Sequence, residues 1–166
     1  MPFLYADLSF ASGLQISPIR IDFKNKQRIS SFTVTNLKDT KIMLQSEVKK
    51  WQQKNSQNIY TSQSEVFIAP PIISIKPGES QIFRVALRSD LYGNVEKPYR
   101  IFLQEVVSKL NKSKPGLHFA MRIGLPVFIA PKNALAKEVK WSLKKVNKQI
   151  IIKADNLSNR HVQVTH

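Results

Sequence analysis

The sequence predicts an all-β protein: an immunoglobulin-like, seven-stranded β-sandwich followed by the incomplete start of a second β-sandwich. Apolar residues recur at every second position in short segments separated by turn residues, which is typical of strands with one buried face. No stretch carries an apolar stripe of helical period over three turns. About seven such segments fall within roughly 115 residues, and this spacing is typical of immunoglobulin-like sandwiches.

The predicted strands are short alternating segments, and in chain order they cover residues 16–23, 32–34, 42–51, 66–68, 73–75, 83–87, 99–107 and 116–129. In the first of them, Ile19, Ile21 and Phe23 are expected to point inward. Residues 52–64 are rich in Gln, Asn and Ser and are expected to form a polar loop. Pro77-Gly78 predicts a tight turn between two strands.

The last predicted strand of the first sandwich is unusually long and apolar. From Gly116 to Ile129, one face carries Leu117, Phe119, Met121, Ile123, Leu125 and Val127. Strands in globular proteins are usually about five or six residues long. A long row of bulky apolar residues invites pairing with another chain. Either the protein's own core covers this row or a partner does.

The two ends of the chain differ from its middle in amino-acid composition and in predicted organisation. Residues 1–11 are apolar and end in Ser9-Phe10-Ala11, so they are interpreted as the remnant of a signal peptide, with ordinary N-terminal sequence as the alternative. Residues 12–129 form the predicted N-terminal domain, and residues 130–137 a linker. Residues 138–166 contain three candidate strands, 139–143, 149–153 and 161–165. A chain below about 40 residues seldom folds alone, so this part is predicted to be an incomplete C-terminal β domain.

Composition limits the partners without selecting one. Hydrophobic residues make up 42% of the chain, which is enough for a core. Lys and Arg number 26 against 11 Asp and Glu, and the net charge of +15 favours polyanions, anionic membrane surfaces or an acidic protein partner. The absence of Cys excludes disulfides and thiol catalysis. No apolar run reaches the roughly 18 residues of a transmembrane segment.

The sequence does not predict an enzyme or a cofactor. His118, His161 and His166 lack metal-ligand spacing, and neither a nucleophile-elbow motif nor a phosphate-binding glycine loop occurs. One alternative is a polyanion- or nucleic-acid-binding β-domain, suggested by four lysines near Trp141: Lys144, Lys145, Lys148 and Lys153. Because no aromatic platform is interleaved with them, nucleic acid is not the expected partner. Another alternative is an adhesion-type structural sandwich whose last strand is covered in the isolated protein.

Five short motifs, in this order and spacing, resemble the periplasmic pilus-assembly chaperones of the chaperone/usher system, and more closely their divergent archaic branch. The motifs lie at Ser17–Phe23, Ile68–Pro71, Lys76–Val85, Tyr99–Glu105 and Ile123–Pro131. The resemblance implies a periplasmic, ATP-independent chaperone that captures pilin subunits and delivers them to an outer-membrane usher. It also implies that the chaperone lends its long strand to complete the subunit's sheet. Exposed strand edges would favour self-association.

The resemblance also implies roles for individual residues. Leu117, Phe119, Met121 and Ile123 would fill successive pockets of the subunit, whereas Leu125 and Val127 are expected to face the protein's own core. Two basic side chains would hold the subunit's C-terminal carboxylate.

One of these two basic residues falls on Arg20, whose parity is opposite to that of Ile19 and Ile21. The other is a Lys in the family and aligns with Pro126, which has neither charge nor N–H. Arg100 and Arg122 are therefore the candidates for the second cation, with solvated surface arginines as the alternative. Arg84 and Glu96 align with family positions that form an ion pair at the domain junction.

Overall fold

The computed structural model describes residues 13–24, 27–88, 91–106, 120–147 and 149–163, and this part of the chain is all β. Its twelve strands, in chain order, are β1 (Leu14–Ser17), β2 (Ile21–Phe23), β3 (Ile29–Asn36), β4 (Ile42–Lys54), β5 (Gln57–Thr61), β6 (Val66–Ala69), β7 (Ile72–Ile75), β8 (Ser80–Leu87), β9 (Lys97–Glu105), β10 (Arg122–Ile129), β11 (Val139–Val146) and β12 (Gln149–Asn156). The prediction of an immunoglobulin-like β-sandwich is confirmed.

Two sheets form the sandwich. The first sheet has the order β1-β3-β8-β6. The second has the order β2-β10-β9-β4-β5, with β7 also pairing with β4. The predicted Pro77-Gly78 turn lies between β7 and β8, where Gly78 has a φ of 74°, a conformation that glycine adopts without steric cost.

The core lies between the two sheets and is built from the inward positions of the alternating strands. Phe32 on β3 and Phe83 on β8 stack with their ring centroids 5.2 Å apart. From the second sheet, Tyr99, Ile101 and Leu103 on β9 are all buried. Burying each large apolar side chain contributes about 1.5–3 kcal/mol, so these alternating rows supply the main stabilisation of the sandwich.

The first predicted strand is divided between the two sheets. Its first half, β1, pairs with β3 in the first sheet, and its second half, β2, pairs with β10 in the second. The crossing occurs at residues 18–20, after a cis Ser17–Pro18 peptide bond. The expectation that Ile19 points inward is wrong, since Ile19 is 75% exposed. A chain that changes sheets leaves the strand at the crossing, so the alternation of side chains is interrupted there.

The predicted polar loop at residues 52–64 is largely a β-hairpin. β4 continues to Lys54, and β5 pairs back onto it through a turn in which Asn55 and Ser56 have φ values of 51° and 60°. Two consecutive positive φ angles are typical of the two-residue hairpin turn. All five residues of β5 are exposed, so the sequence carries no apolar alternation that would reveal the strand.

The C-terminal part of the described chain contains the antiparallel hairpin of β11 and β12. Nearly all of its side chains are exposed, including Trp141 and Ile152. The third predicted strand, at residues 161–165, is not observed in residues 161–163, which lie outside any strand. Those residues instead contact the sandwich through hydrogen bonds and a ring stack described below.

Candidate functional site: an open strand edge beside a basic cleft

Among the described residues, strand β10 is paired along its full length on one side only. Every residue from Arg122 to Ile129 is opposite a residue of β9. On the other side, β2 pairs in parallel with Val127, Phe128 and Ile129 alone. Within the described residues, positions 122–126 therefore have one edge without a neighbouring strand. An open edge offers its backbone N–H and C=O groups to an incoming strand.

The apolar row of β10 runs from the core to this open edge. Leu125 and Val127 are buried, as expected for residues that face the protein's own core. Ile123 is half-buried and packs against the core from its margin. Met121 precedes the strand and is half-buried, and its carbonyl accepts a hydrogen bond of 2.8 Å from the Glu105 N–H. Leu117 and Phe119 lie outside the described residues.

A cleft of about 880 Å³ lies beside the open edge. One wall is the outer face of the second sheet, with Trp51, Arg100 and Pro126 among its residues. The opposite wall is the segment that follows β12, including Arg160 and His161. The cleft therefore lies between the sandwich and the segment that leads out of the C-terminal hairpin.

Arg20 lines this cleft but already has a carboxylate partner. Its Nε and one terminal nitrogen donate to the two carboxylate oxygens of Asp22, at 2.8 and 2.7 Å. Its guanidinium also lies over the ring of Phe128, 4.7 Å from the centroid. This bidentate pair engages one side of the guanidinium, the Nε and one terminal nitrogen, out of its five N–H donors. An external carboxylate at Arg20 would have to share it with Asp22.

Arg100 has a different environment. It lies on β9 opposite Pro126, and its guanidinium lies over the ring of Trp51, 4.3 Å from the centroid. Its stem occupies the space left by Gly124, where an added Cβ would come within 3.1 Å of the Arg100 Cδ. Among the described residues, the buried Nε atoms of Arg100 and Arg160 have no hydrogen-bond partner. Buried donors are nearly always satisfied, so these two unpaired N–H groups distinguish Arg100 and Arg160 from the other cations of the cleft.

Arg122 does not line the cleft. It lies at the start of β10, is exposed, and stacks over the ring of Phe102 at 4.1 Å. Phe102 in turn contacts Tyr60 edge-on, with ring centroids 5.0 Å apart. The structure therefore places Arg20 and Arg100 at one cleft and Arg122 farther along the same sheet face.

The predicted ion pair between Arg84 and Glu96 is not formed. Arg84 is exposed on β8 of the first sheet, opposite Ser31 and Ala69. Glu96 precedes β9 and accepts hydrogen bonds from the backbone N–H of His161, at 3.0 Å, and at the His161 ring. Strand parity specifies the face that a side chain occupies, but not which residue of a distant segment lies beside it.

His161 is the junction residue that the sequence prediction missed. Its ring stacks on Phe128 with centroids 3.9 Å apart. Two residues earlier, the Asn159 side chain donates to the carbonyls of Asn94 and Asn133, each at 2.8 Å. Its own Oδ1 accepts from the Leu135 N–H at 3.0 Å. Because all of these contacts are long-range, no local pattern could have revealed them.

The described residues hold no group of three or more His, Cys, Asp or Glu side chains able to bind a metal ion. Within the same residues, no helix has the length and apolar character needed to cross a membrane.

The fold and the arrangement of the site define the class of the protein: an immunoglobulin-like β-sandwich with an open strand edge beside a basic cleft. The family model of the pili and flagellar-assembly chaperones, PapD N-terminal domain, matches residues 13–135. The chain therefore belongs to the family of pilus-assembly chaperones, and the resemblance seen in the sequence is confirmed. A comparison with curated protein sequences gives no match.

Solved structures of chaperones share the fold. In the pre-assembly complex of the chaperone CsuC with the tip adhesion subunit CsuE, from archaic chaperone-usher Csu pili of Acinetobacter baumannii, the matching chain is 25% identical with a TM-score of 0.69. The match covers 89% of this chain and 73% of that one. The complex of the Salmonella enterica SafA pilin with the SafB chaperone matches with a TM-score of 0.67 at 15% identity, covering 96% of this chain and 72% of that chain.

Proposed function

We propose that this chaperone captures pilin subunits in the periplasm by donor-strand complementation and delivers them to an outer-membrane usher. The observation that carries the proposal is the open edge of β10 at residues 122–126, which lies next to a basic cleft. The related Csu and Saf structures are complexes of a chaperone with a subunit, which supports a subunit as the partner of this chain as well.

Strand pairing would supply the affinity. An added strand forms main-chain hydrogen bonds along the open edge, while side chains at alternate positions select the partner. Leu117, Phe119, Met121 and Ile123 are the proposed donor residues. Among them, Ile123 still contacts the core of the chaperone and Met121 lies at the margin of the described sandwich. The row would then pass from the chaperone's own core into the core of the subunit.

The cleft would hold the subunit's C-terminal carboxylate. Arg100 is the better anchor, because its buried Nε has no partner within the described residues and its stacking on Trp51 fixes the guanidinium plane. Arg20 would support it from the pair with Asp22. Arg100 would thus perform the role that the family gives to a Lys at the position of Pro126. Pairing and burial need no cofactor, so we propose that the protein is not an enzyme.

The test is co-expression in a bacterial periplasm with the pilin-like protein encoded nearest this gene, followed by pull-down and mass spectrometry. Phe119→Asp and Met121→Asp are expected to abolish capture, because a charge cannot enter an apolar subunit pocket. Phe67→Asp is the matched control, since Phe67 is 50% exposed on β6 of the other sheet. Capture by a folded Phe119→Asp protein at the level of this control would contradict the donor-strand assignment.

The anchor is tested in the same assay. Arg100→Ala is expected to weaken capture more than Arg20→Ala, because Arg20 already satisfies Asp22. Arg84→Ala, on the first sheet, is the control that removes the same charge away from the cleft. If Arg20→Ala and Arg84→Ala weaken capture while Arg100→Ala does not, the anchor is not at Arg100.

A further inference from the structure

Arginines and aromatic rings alternate along the outer face of the second sheet. Arg100 lies over Trp51, Arg122 lies over Phe102, and Phe102 meets Tyr60 edge-on. We name these five residues the arginine–aromatic stripe. The stripe leads from the cleft, where Arg100 lies, along the sheet to the start of β10, next to the open edge. Its far end, at Arg122, does not line the cleft.

In the part of the chain that the structure describes, the two arginines of the stripe lack acidic partners. On the same face of the sheet, β4 carries two charged side chains, Lys49 and Glu47, and these pair with each other at 2.5 Å. Within the described residues, neither Arg100 nor Arg122 forms an ion pair with a carboxylate. A guanidinium stacked on a ring keeps its N–H groups in a fixed plane, ready for a planar acceptor. The stripe therefore offers two oriented cationic groups to a bound segment.

Gly124 places no side chain on the surface between the two arginines. It lies on β10 between Arg122 and Pro126, and an added Cβ would come within 3.1 Å of the Arg100 Cδ and 3.4 Å of the Phe102 ring. Without a side chain at this position, both the Arg100 stem and the Phe102 ring pack closely against the backbone of β10. A segment that pairs with the open edge then has room to contact this face of the sheet.

We propose that Arg122, stacked on Phe102, binds an acidic side chain of the captured subunit two residues before its C-terminal residue. The inference rests on the proposed function, since it assumes that the terminal carboxylate lies at Arg100. Phe102 is two residues from Arg100 along β9, which is about 7 Å in a strand. An extended segment that ends at Arg100 therefore brings the side chain two residues earlier to Phe102 and Arg122.

The chemistry of the stripe favours an acidic polypeptide over nucleic acid. The stripe adjoins an open strand edge, which recognises a polypeptide backbone by main-chain hydrogen bonds. A site for a single strand of nucleic acid needs a continuous basic groove with rings free to stack on bases. Here the faces of Trp51 and Phe102 are already covered by arginines. The preferred partner is a pilin whose C-terminal segment carries Glu or Asp at this position.

The test uses the full chain with Trp141→Phe, which leaves Trp51 as its one tryptophan and places the fluorophore under Arg100. The probes are short N-acetylated threonine peptides with a free C-terminal carboxylate and either Glu or Gln at the third position from the end. A third peptide repeats the Glu sequence with a C-terminal amide. We expect the Glu peptide to bind about threefold more tightly than the Gln peptide, as for an exposed ion pair.

The difference between the Glu and Gln peptides is expected to vanish in Arg122→Gln and to persist in Arg84→Gln, which removes the same charge from the other sheet. A difference that persists in Arg122→Gln, or that Arg84→Gln removes equally, would overturn the inference. If amidation weakens binding but Glu and Gln bind equally, the inference fails while the carboxylate anchor stands. If amidation has no effect, the anchor fails, and with it the placement of the acidic residue.

Two further results would also overturn the inference. The first is the absence of any saturable fluorescence change with all three peptides; subunit capture by the co-expressed chaperone would then still decide the proposed function by itself. The second is tighter binding of oligodeoxythymidine through Arg100 and Arg122 than of the Glu peptide, which would make the stripe a polyanion site.

Discussion

The ends of strands β3 and β12 have the same local structure but very different surroundings. Each strand ends at an Asn that is followed by Leu, at Asn36 and at Asn156. In both, the Asn Oδ1 accepts from the N–H two residues later, at 3.0 Å, and the Asn Nδ2 donates to the carbonyl four residues later, at 2.8 Å. Four residues before each Asn, however, Phe32 is 1% exposed and Ile152 is 64% exposed.

The Asn corner depends on the short segment itself, whereas burial of the strand before it depends on the surrounding structure. The corner forms at both places because an Asn side chain satisfies the neighbouring backbone groups by itself. Burial differs because β3 packs against a facing sheet, whereas β12 is paired only with β11 within the described residues. The same Asn-centred corner therefore occurs beside a packed core in one region and beside a largely exposed hairpin in the other.

The largest expected difference between the regions is in apolar side chains at matching positions. Phe32→Ala should lower the free energy of unfolding by about 3–5 kcal/mol, because it leaves a cavity beside Phe83. Ile152→Ala should change it by less than about 0.5 kcal/mol, because an exposed side chain loses little on truncation. Urea unfolding of both variants measures the contrast. A large loss in Ile152→Ala would mean that the hairpin face is covered in solution.

The two corner asparagines come next. Asn36 is fully buried, and its Nδ2 also donates to the Ile75 carbonyl at 3.1 Å. Asn36→Ala should therefore cost about 2 kcal/mol of unfolding free energy, since it leaves buried backbone groups unsatisfied. Asn156→Ala should cost less than about 1 kcal/mol, because water can replace its bonds. Equal losses in chemical denaturation would show that the two corners are equally packed.

The attachment of the second region to the first can be tested at Asn159. Asn159→Ala removes its side-chain bonds to Asn94, Asn133 and Leu135, and should cost about 1 kcal/mol or slightly more. Amide exchange at Leu135 should accelerate, while exchange in β3 should not change. Asn133→Ala is the control, because Asn133 takes part through its backbone carbonyl. Faster exchange throughout β3 in Asn159→Ala would contradict the independence of the two regions.

Alkaline pH provides the smallest expected effect and acts on the first region. The Tyr99 hydroxyl donates to the Glu65 carboxylate at 2.6 Å, and burial, followed by this bond and the charge of Glu65, raises the pKa of Tyr99 above its ordinary value of about 10. The folded state therefore holds this proton more tightly than the unfolded state. Its contribution to stability is complete below pH 10 and is lost as the pH rises above that value.

Tyr99→Phe should lower the free energy of unfolding by about 1 kcal/mol at neutral pH and should reduce its decline above pH 10. Tyr60→Phe, at an exposed position on β5, is the matched control and should leave the pH profile unchanged. Urea midpoints between pH 8 and 11 measure both variants. If the free energy of unfolding of Tyr99→Phe and of the wild type falls with the same slope above pH 10, groups other than Tyr99 cause the decline.

Much of the candidate site could be predicted because strand parity is a local property. The alternation placed Leu125 and Val127 in the core, and the resemblance to the family placed Arg20 at the cleft. For the second cation it left Arg100 and Arg122 as candidates, of which only Arg100 lines the cleft. The sequence could not predict which arginine of the cleft pairs with a carboxylate of the protein itself. Asp22 on β2 is two residues after Arg20, but whether its carboxylate pairs with the Arg20 guanidinium depends on rotamers that the pattern does not specify. The same limit applies to the partner of Glu96.

By itself, the sequence determined the all-β class, the family, most strand positions and the Pro77-Gly78 turn, because these depend on neighbours a few residues apart. The tertiary structure alone decided that β1 and β2 belong to different sheets, that residues 57–61 pair with β4, and that Glu96 pairs with His161. Each of these depends on groups that are distant in the chain. Their contacts form only when the sheets pack, so no short-range pattern of residues carries them.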